Sequence, residues 1–175
     1  MPLTYGTTTT ANFIADIHDA IGDVYSGQPI YDCDATGVYS DHDMGTVLKT
    51  EFNYSYADKA DYNRHVVVNN IESNNPVILR GDDGGSTGHM WVCDGYRSTT
   101  YHFDDCTGAT FLHFYMNWGW YDGQFNGWYS FDNFNPGNSN YNNDNEMIYN
   151  ITHKSHEKTI NNYSSSHNLY ILRIK

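Results

Sequence analysis

Long apolar runs, basic charge and paired cysteine motifs are all scarce in this chain of 175 residues. No run of about eighteen or more consecutive apolar residues occurs, which excludes a membrane-spanning helix. Lys and Arg total 9 against 21 Asp and Glu, for a net charge of -12. Nucleic-acid affinity rests largely on basic side chains neutralising phosphates, so nucleic acid is not an expected partner. The negative charge instead suits solubility outside cells or at a host surface. The three cysteines, Cys33, Cys93 and Cys106, form no C-x-x-C, which argues against a zinc ribbon or a thioredoxin-type site. Three thiols cannot all pair with one another. A Cys93–Cys106 disulfide across a hairpin and a free, buried Cys93 both stay open. Also missing is a basic-then-apolar leader, since Met1-Pro2-Leu3-Thr4-Tyr5-Gly6 runs into threonines. The expectation is a chain that is not exported as it stands, or one that begins partway through a longer precursor.

Aromatic residues are abundant: 16 Tyr, 8 Phe and 4 Trp among many Asn, Gly, Asp and Ser. That mixture favours strands with polar turns over a helical bundle. The length suits a single domain, 1–175, with a helical part over 1–75 and an antiparallel β part over 76–175. Residues 11–24 place Phe13, Ile14, Ile17, Ala20, Ile21 and Val24 at helical spacing, with Thr10 as cap. A second helix is expected from Ser40 or Asp41, with Met44, Val47, Leu48 and Phe52 inward, and a third from Asp61 to Ser73, ended by Asn74-Asn75-Pro76. From Val77 the period changes. Strands are expected at Val77–Gly81, Met90–Tyr96, Tyr101–Asp104, Phe111–Trp118, Gly127–Phe131, Glu146–Ile151 and Leu169–Ile174, with a polar loop from Thr152 to Asn168. Helices followed by short strands at this spacing make an α+β fold with a barrel-like antiparallel sheet.

The chemistry concentrates in Gly84-Gly85-Ser86-Thr87-Gly88-His89-Met90-Trp91-Val92-Cys93-Asp94-Gly95-Tyr96 and, 28 residues after His89, in Asn117-Trp118-Gly119-Trp120. A histidine at a strand start, with an amide and an indole on a later strand, suits a base held in one tautomer, as in Cys-His-Asn proteases. The order Asn75-Pro76-Val77, Gly88-His89, Val92-Cys93-Asp94-Gly95-Tyr96, Met116-Asn117-Trp118-Gly119-Trp120, Asp122-Gly123, Asn126-Gly127-Trp128-Tyr129 and Asn133-Phe134-Asn135-Pro136 resembles the streptopain family of bacterial cysteine proteases.

The resemblance implies a papain-like fold whose cleft separates a helical, Cys-bearing lobe from a β, His-bearing lobe. It implies that His89 is the catalytic histidine, that Asn117 orients its ring and that Trp118 shields that contact. Peptide or protein would be the substrate, no cofactor would be needed, and the protein would be secreted. The chain would be the C-terminal portion of a longer catalytic domain. The family's nucleophile sits upstream in a Gly-Cys-x-Ala-type context opening a helix, which this sequence lacks. Cys33, in Tyr31-Asp32-Cys33-Asp34-Ala35, is flanked by aspartates that would raise its pKa. Cys93 shares a strand face with His89, but four strand residues span about 13 Å. The nucleophile is therefore expected from a Cys-bearing segment that is either separate or removed, and the chain by itself is expected to be inactive. Three departures from the family pattern stand out: Met90 in place of a small residue, Tyr121-Asp122 in place of glycines, and a long connection from His89 to Asn117.

The same residues admit other readings. A catalytically inactive relative would bind peptide or protein in the old cleft, and a carbohydrate-binding domain would use Trp120 and Trp128. No metal site is expected: His153 and His156 have helical spacing but few acidic neighbours. Asp82-Asp83-Gly84-Gly85 and Asn142-Asn143-Asp144-Asn145-Glu146 are as well explained by turn chemistry as by calcium.

Overall fold

The computed structural model describes residues 7–26, 29–31, 36–39 and 42–153. Helix α1 (Thr8–Val24) begins one turn earlier than the apolar pattern suggests, because the Thr7 side chain accepts from the Thr10 amide. After the short antiparallel pair β1 (Ile30–Tyr31) and β2 (Thr36–Gly37), α2 (Met44–Thr50) starts where Asp43 accepts from the Gly45 amide at 2.8 Å. The Tyr25 hydroxyl donates to the Asp43 carbonyl at 2.9 Å and accepts from the Asp43 amide at 2.7 Å, pinning the end of α1 to the cap of α2. Ala20, Ile21 and Val47 form a small core there with Ile17, Val24, Met44 and Phe52 packed around it.

Strand β3 (Tyr54–Asp61) was not visible in the sequence. Its residues Tyr-Ser-Tyr-Ala-Asp-Lys-Ala-Asp are mostly polar, and only Ala57 is buried, as suits an edge strand. Helix α3 (Arg64–Glu72) follows, capped by Asn63, with Val67 fully buried. The sheet then continues through β4 (Val77–Asp82), β5 (Gly88–His102), β6 (Gly108–Asn117), β7 (Gly127–Ser130) and β8 (Asn143–His153). All pairings are antiparallel in the order β3-β8-β4-β5-β6-β7. The α+β class holds. The sheet is open among the described residues, with β3 and β7 as its edges, so the expected barrel-like form is corrected to an open sheet.

Tyr101 is not in a strand of its own. β5 runs without a break to His102 and pairs with β6 from Val92↔Asn117 to His102↔Gly108, with a bulge between Cys93 and Gly95. Turn residues Phe103–Cys106 close this hairpin, Cys106 at φ 63. Cys93 pairs with Met116 at the hairpin base, and both Cys93 and Cys106 are free thiols, which rules out the disulfide. The strand expected at Leu169–Ile174 lies outside the described residues, as does the expected loop beyond His153.

The main core joins Val67, Val77, Leu79, Trp91, Phe114, Met116, Trp118, Phe134, Tyr141 and Met147. Gly81 faces this side, and a β-carbon there would collide with the Tyr141 carbonyl and the Asn145 side chain. Its absence lets the segment before β8 close over the sheet beside the first residues of β5. The polar Asn70 is also buried: its Nδ2 donates to the Val66 carbonyl and its Oδ1 accepts from the Asn150 amide at 2.8 Å. Asn150 sits at φ 55 in β8, so Asn70 satisfies an amide that this irregular backbone turns away from the ladder.

Candidate active site

His89 is the second residue of β5 and lies opposite Gly81 of β4. Val92 pairs with Asn117, the last residue of β6, so the chain leaving β6 passes beside the start of β5. That register brings the Trp118 carbonyl to 2.8 Å from His89 Nε2. A carbonyl can only accept, so Nε2 carries the proton and donates, which leaves Nδ1 with the lone pair in the neutral ring. Nδ1 makes no hydrogen bond among the described residues and is not a buried atom. Burial holds the imidazole pKa below its ordinary value, partly offset by the bond to the Trp118 carbonyl. At neutral pH the ring is therefore a neutral base with one braced and one open nitrogen.

Four aromatic rings frame the imidazole, Trp91 among them at 6.3 Å. The ring centroids of Trp120, Tyr141 and Trp118 lie 5.2, 5.4 and 6.2 Å from that of His89. Trp118 is fully buried and packs against Trp91 at 4.6 Å and edge-on to Tyr129 at 5.4 Å. Its indole N–H is buried with no hydrogen-bond partner among the described residues. The indole thus serves mainly as core, while the peptide of Trp118 makes the polar contact with His89.

Asn117 is placed beside the histidine but does not bond to it. Its Oδ1 accepts from the Gly119 amide and from Asn126 Nδ2, both at 3.1 Å, and its residue is exposed. Asn126 Oδ1 in turn accepts from the Trp118 amide at 2.9 Å. The carboxamide of Asn117 therefore reaches His89 only through the backbone. Of the three residues singled out in the sequence, His89 and Trp118 meet directly, and Asn117 fixes the turn between them. Tyr141 and Asn126 went unrecognised. Asn126 lies in the Asn126-Gly127-Trp128-Tyr129 stretch of the family pattern, but nothing in its residue type marks it, and Tyr141 carries no local signal at all.

His89 lines an open cleft of about 900 Å³. Ile14 and Ile17 of α1 and Val38 form its apolar side, and Arg80, Met90 and His89 of the sheet form the other. Met90, the family departure noted above, thus shapes the cleft itself. Arg80 is held by Glu146 at 2.6 Å and Asp144 at 3.3 Å, and Glu146 also pairs with Lys59 at 3.0 Å.

No thiol among the described residues is placed to meet His89. Cys93 is fully buried, and burial pushes its thiol up to about 12, so it is inert as a nucleophile near neutrality. Cys106 is exposed at the far end of the β5–β6 hairpin, about 40 Å along the ribbon from His89. Cys33 lies outside the described residues. Among the described residues no group of three His, Cys, Asp or Glu side chains is arranged to hold a metal ion. Asp82 and Asp83 instead accept from the Gly84 and Gly85 amides of their own turn, and His153 stacks on Tyr54 at 3.8 Å. His156 is outside the described residues. No described helix is long and apolar enough to cross a membrane.

A model of the Peptidase C10 family matches residues 4–129, a span that contains His89, Asn117, Trp118 and Asn126. The thiol protease/hemagglutinin PrtT of Porphyromonas gingivalis is 31% identical over 121 residues, which is 61% of this chain. The match spans 12% of that protein's length. No solved structure matches the chain.

Proposed function

Because this chain belongs to the peptidase C10 family, the streptopain cysteine proteases, we propose that it is the histidine-bearing portion of a secreted, papain-like cysteine endopeptidase. The observation that carries the reading is the imidazole of His89, braced at Nε2 by a carbonyl and open at Nδ1 beside a cleft. In this reading a cysteine thiol, supplied by a separate or removed segment, gives its proton to Nδ1. The resulting thiolate attacks the peptide carbonyl, and the charged ring returns the proton to the departing amine. Water then takes the amine's place, loses a proton to the same nitrogen and releases the acid from the thioester. Trp118 contributes through its carbonyl, which stabilises the imidazolium at the moment it forms. Asn117 contributes by holding the turn that presents that carbonyl.

The chain alone is expected to hydrolyse no peptide and to take up no thiol-directed epoxide in an active-site manner. Stoichiometric labelling of Cys33 that His89→Ala abolishes would overturn the missing-nucleophile reading. Adding a Cys-bearing family segment should restore hydrolysis, and His89→Ala should then cut it by about 10²- to 10⁴-fold, the usual worth of a positioned base. A second reading is favoured by the inert state of Cys93 and the remoteness of Cys106. In it the chain is an inactive relative that binds peptide or protein in the same cleft, so binding would persist in His89→Ala.

A further inference from the structure

The carbonyl that braces His89 belongs to the Trp118–Gly119 peptide, whose amide end is held by Asn117, and the preceding Asn117–Trp118 peptide is held as well. The Trp118 amide donates to Asn126 Oδ1 at 2.9 Å, and Asn126 Nδ2 donates to Asn117 Oδ1 at 3.1 Å. Asn117 Oδ1 takes a second donor, the Gly119 amide, at 3.1 Å. The two carboxamides therefore grip the backbone on both sides of Trp118, between a strand that has ended and a glycine at φ +71. Such a turn has no ladder hydrogen bonds to fix its peptide planes, so side-chain acceptors have to do it.

Asn126 is itself well held. Its amide donates to the Gly123 carbonyl at 3.0 Å, and the Tyr129 hydroxyl donates to the neighbouring Phe125 carbonyl at 2.7 Å. We propose that Asn126 is a positioning residue for His89: its Oδ1 fixes the Asn117–Trp118 peptide and its Nδ2 fixes the Asn117 carboxamide that grips the Gly119 amide, and together these keep the Trp118 carbonyl aimed at Nε2. A residue nine positions beyond Asn117 would thus set which imidazole nitrogen is protonated without touching the ring. Its consequence for peptide hydrolysis rests on the protease reading above, but its effect on the ring is a property of this chain alone.

Nitrogen-15 NMR of the histidine side chains in the full chain tests this directly, because ring nitrogens with and without a proton resonate far apart. Neutral His89 should appear as the Nε2–H form. Asn126→Ala, native by circular dichroism, should move the tautomer ratio toward Nδ1–H by about fivefold, the ratio that one ordinary hydrogen bond carries. Asn126→Asp keeps an acceptor for the Trp118 amide but loses the donor to Asn117 Oδ1, so it should recover part of the original ratio. A folded Asn126→Ala variant with the unaltered ratio would overturn the proposal. If that variant does not fold, hydrogen exchange of the Trp118 amide in the unaltered chain decides. Protection supports the clamp, and exchange as fast as an exposed loop amide overturns it. The expected tautomer result without hydrolysis after a Cys-bearing segment is supplied would sink the protease reading alone. Hydrolysis with an unmoved tautomer would sink the Asn126 role alone.

Discussion

Trp118→Phe separates what the indole does from what its backbone does. Two tryptophans, Trp91 and Trp118, lie 4.6 Å apart in one core, each at most 2% exposed. Shrinking an indole to a phenyl ring should cost about 1–2 kcal/mol in lost burial and packing at either site. The polar atoms differ. Trp91 Nε1 donates to Met116 Sδ at 3.3 Å, whereas Trp118 Nε1 is buried without a partner among the described residues. Removing an unsatisfied buried donor returns about 1–3 kcal/mol of desolvation penalty, and that return exists only at Trp118. Trp118→Phe is thus expected to be close to neutral, and Trp91→Phe to be destabilising by about 1–3 kcal/mol more than Trp118→Phe. Urea titration followed by far-ultraviolet circular dichroism measures both without relying on tryptophan emission. In the same Trp118→Phe sample His89 should keep its Nε2–H tautomer, because the accepting carbonyl is untouched. Equal losses at the two sites would refute the claim that the Trp118 N–H is unsatisfied. A changed tautomer would show that the indole, not the peptide, holds the ring.

Two further outcomes follow from buried polar groups. Asn70→Ala strands the Asn150 amide, so stability should fall by about 1–3 kcal/mol in the same urea assay. Asn70→Asp, which keeps the acceptor, should recover part of that loss. Burial lowers the His89 pKa, so the unfolded chain takes up the proton first as pH falls below the ordinary histidine value of about 6.5. The His89 contribution is intact above that pH and is lost on acidification, with a slope of at most about 1.4 kcal/mol per pH unit. His89→Gln should flatten the stability profile in that window relative to the unaltered chain, and an unchanged slope would contradict a depressed pKa.

Much of the architecture could be read from residue order. Strands β4, β6 and β7 and the middle of β8 carry apolar alternation or runs bounded by Gly, Asp and Asn, and α1 carries a clear helical period. What escaped notice was polar or continuous. β3 buries one side chain, so it has no alternation to detect, and its place beside β8 comes from a long-range pairing. The outer half of β5 is exposed over Arg97–His102, which made one long strand read as two. In the site, Gly88-His89 and Asn117-Trp118 are segments that the fold brings side by side, yet Asn117 Oδ1 accepts from the Gly119 amide and the Trp118 carbonyl meets His89.

From residue types and their order alone came the kinship with cysteine proteases, the histidine that faces the cleft and the absence of a thiol in a nucleophile's context. Which atom braces that histidine was decided only in three dimensions. Every residue carries a carbonyl, so no residue type announces one that matters. The pairing of Val92 with Asn117 and the grip of Asn126 and Asn117 on the peptides either side of Trp118 turn the Trp118 oxygen, rather than a side-chain amide, toward the ring.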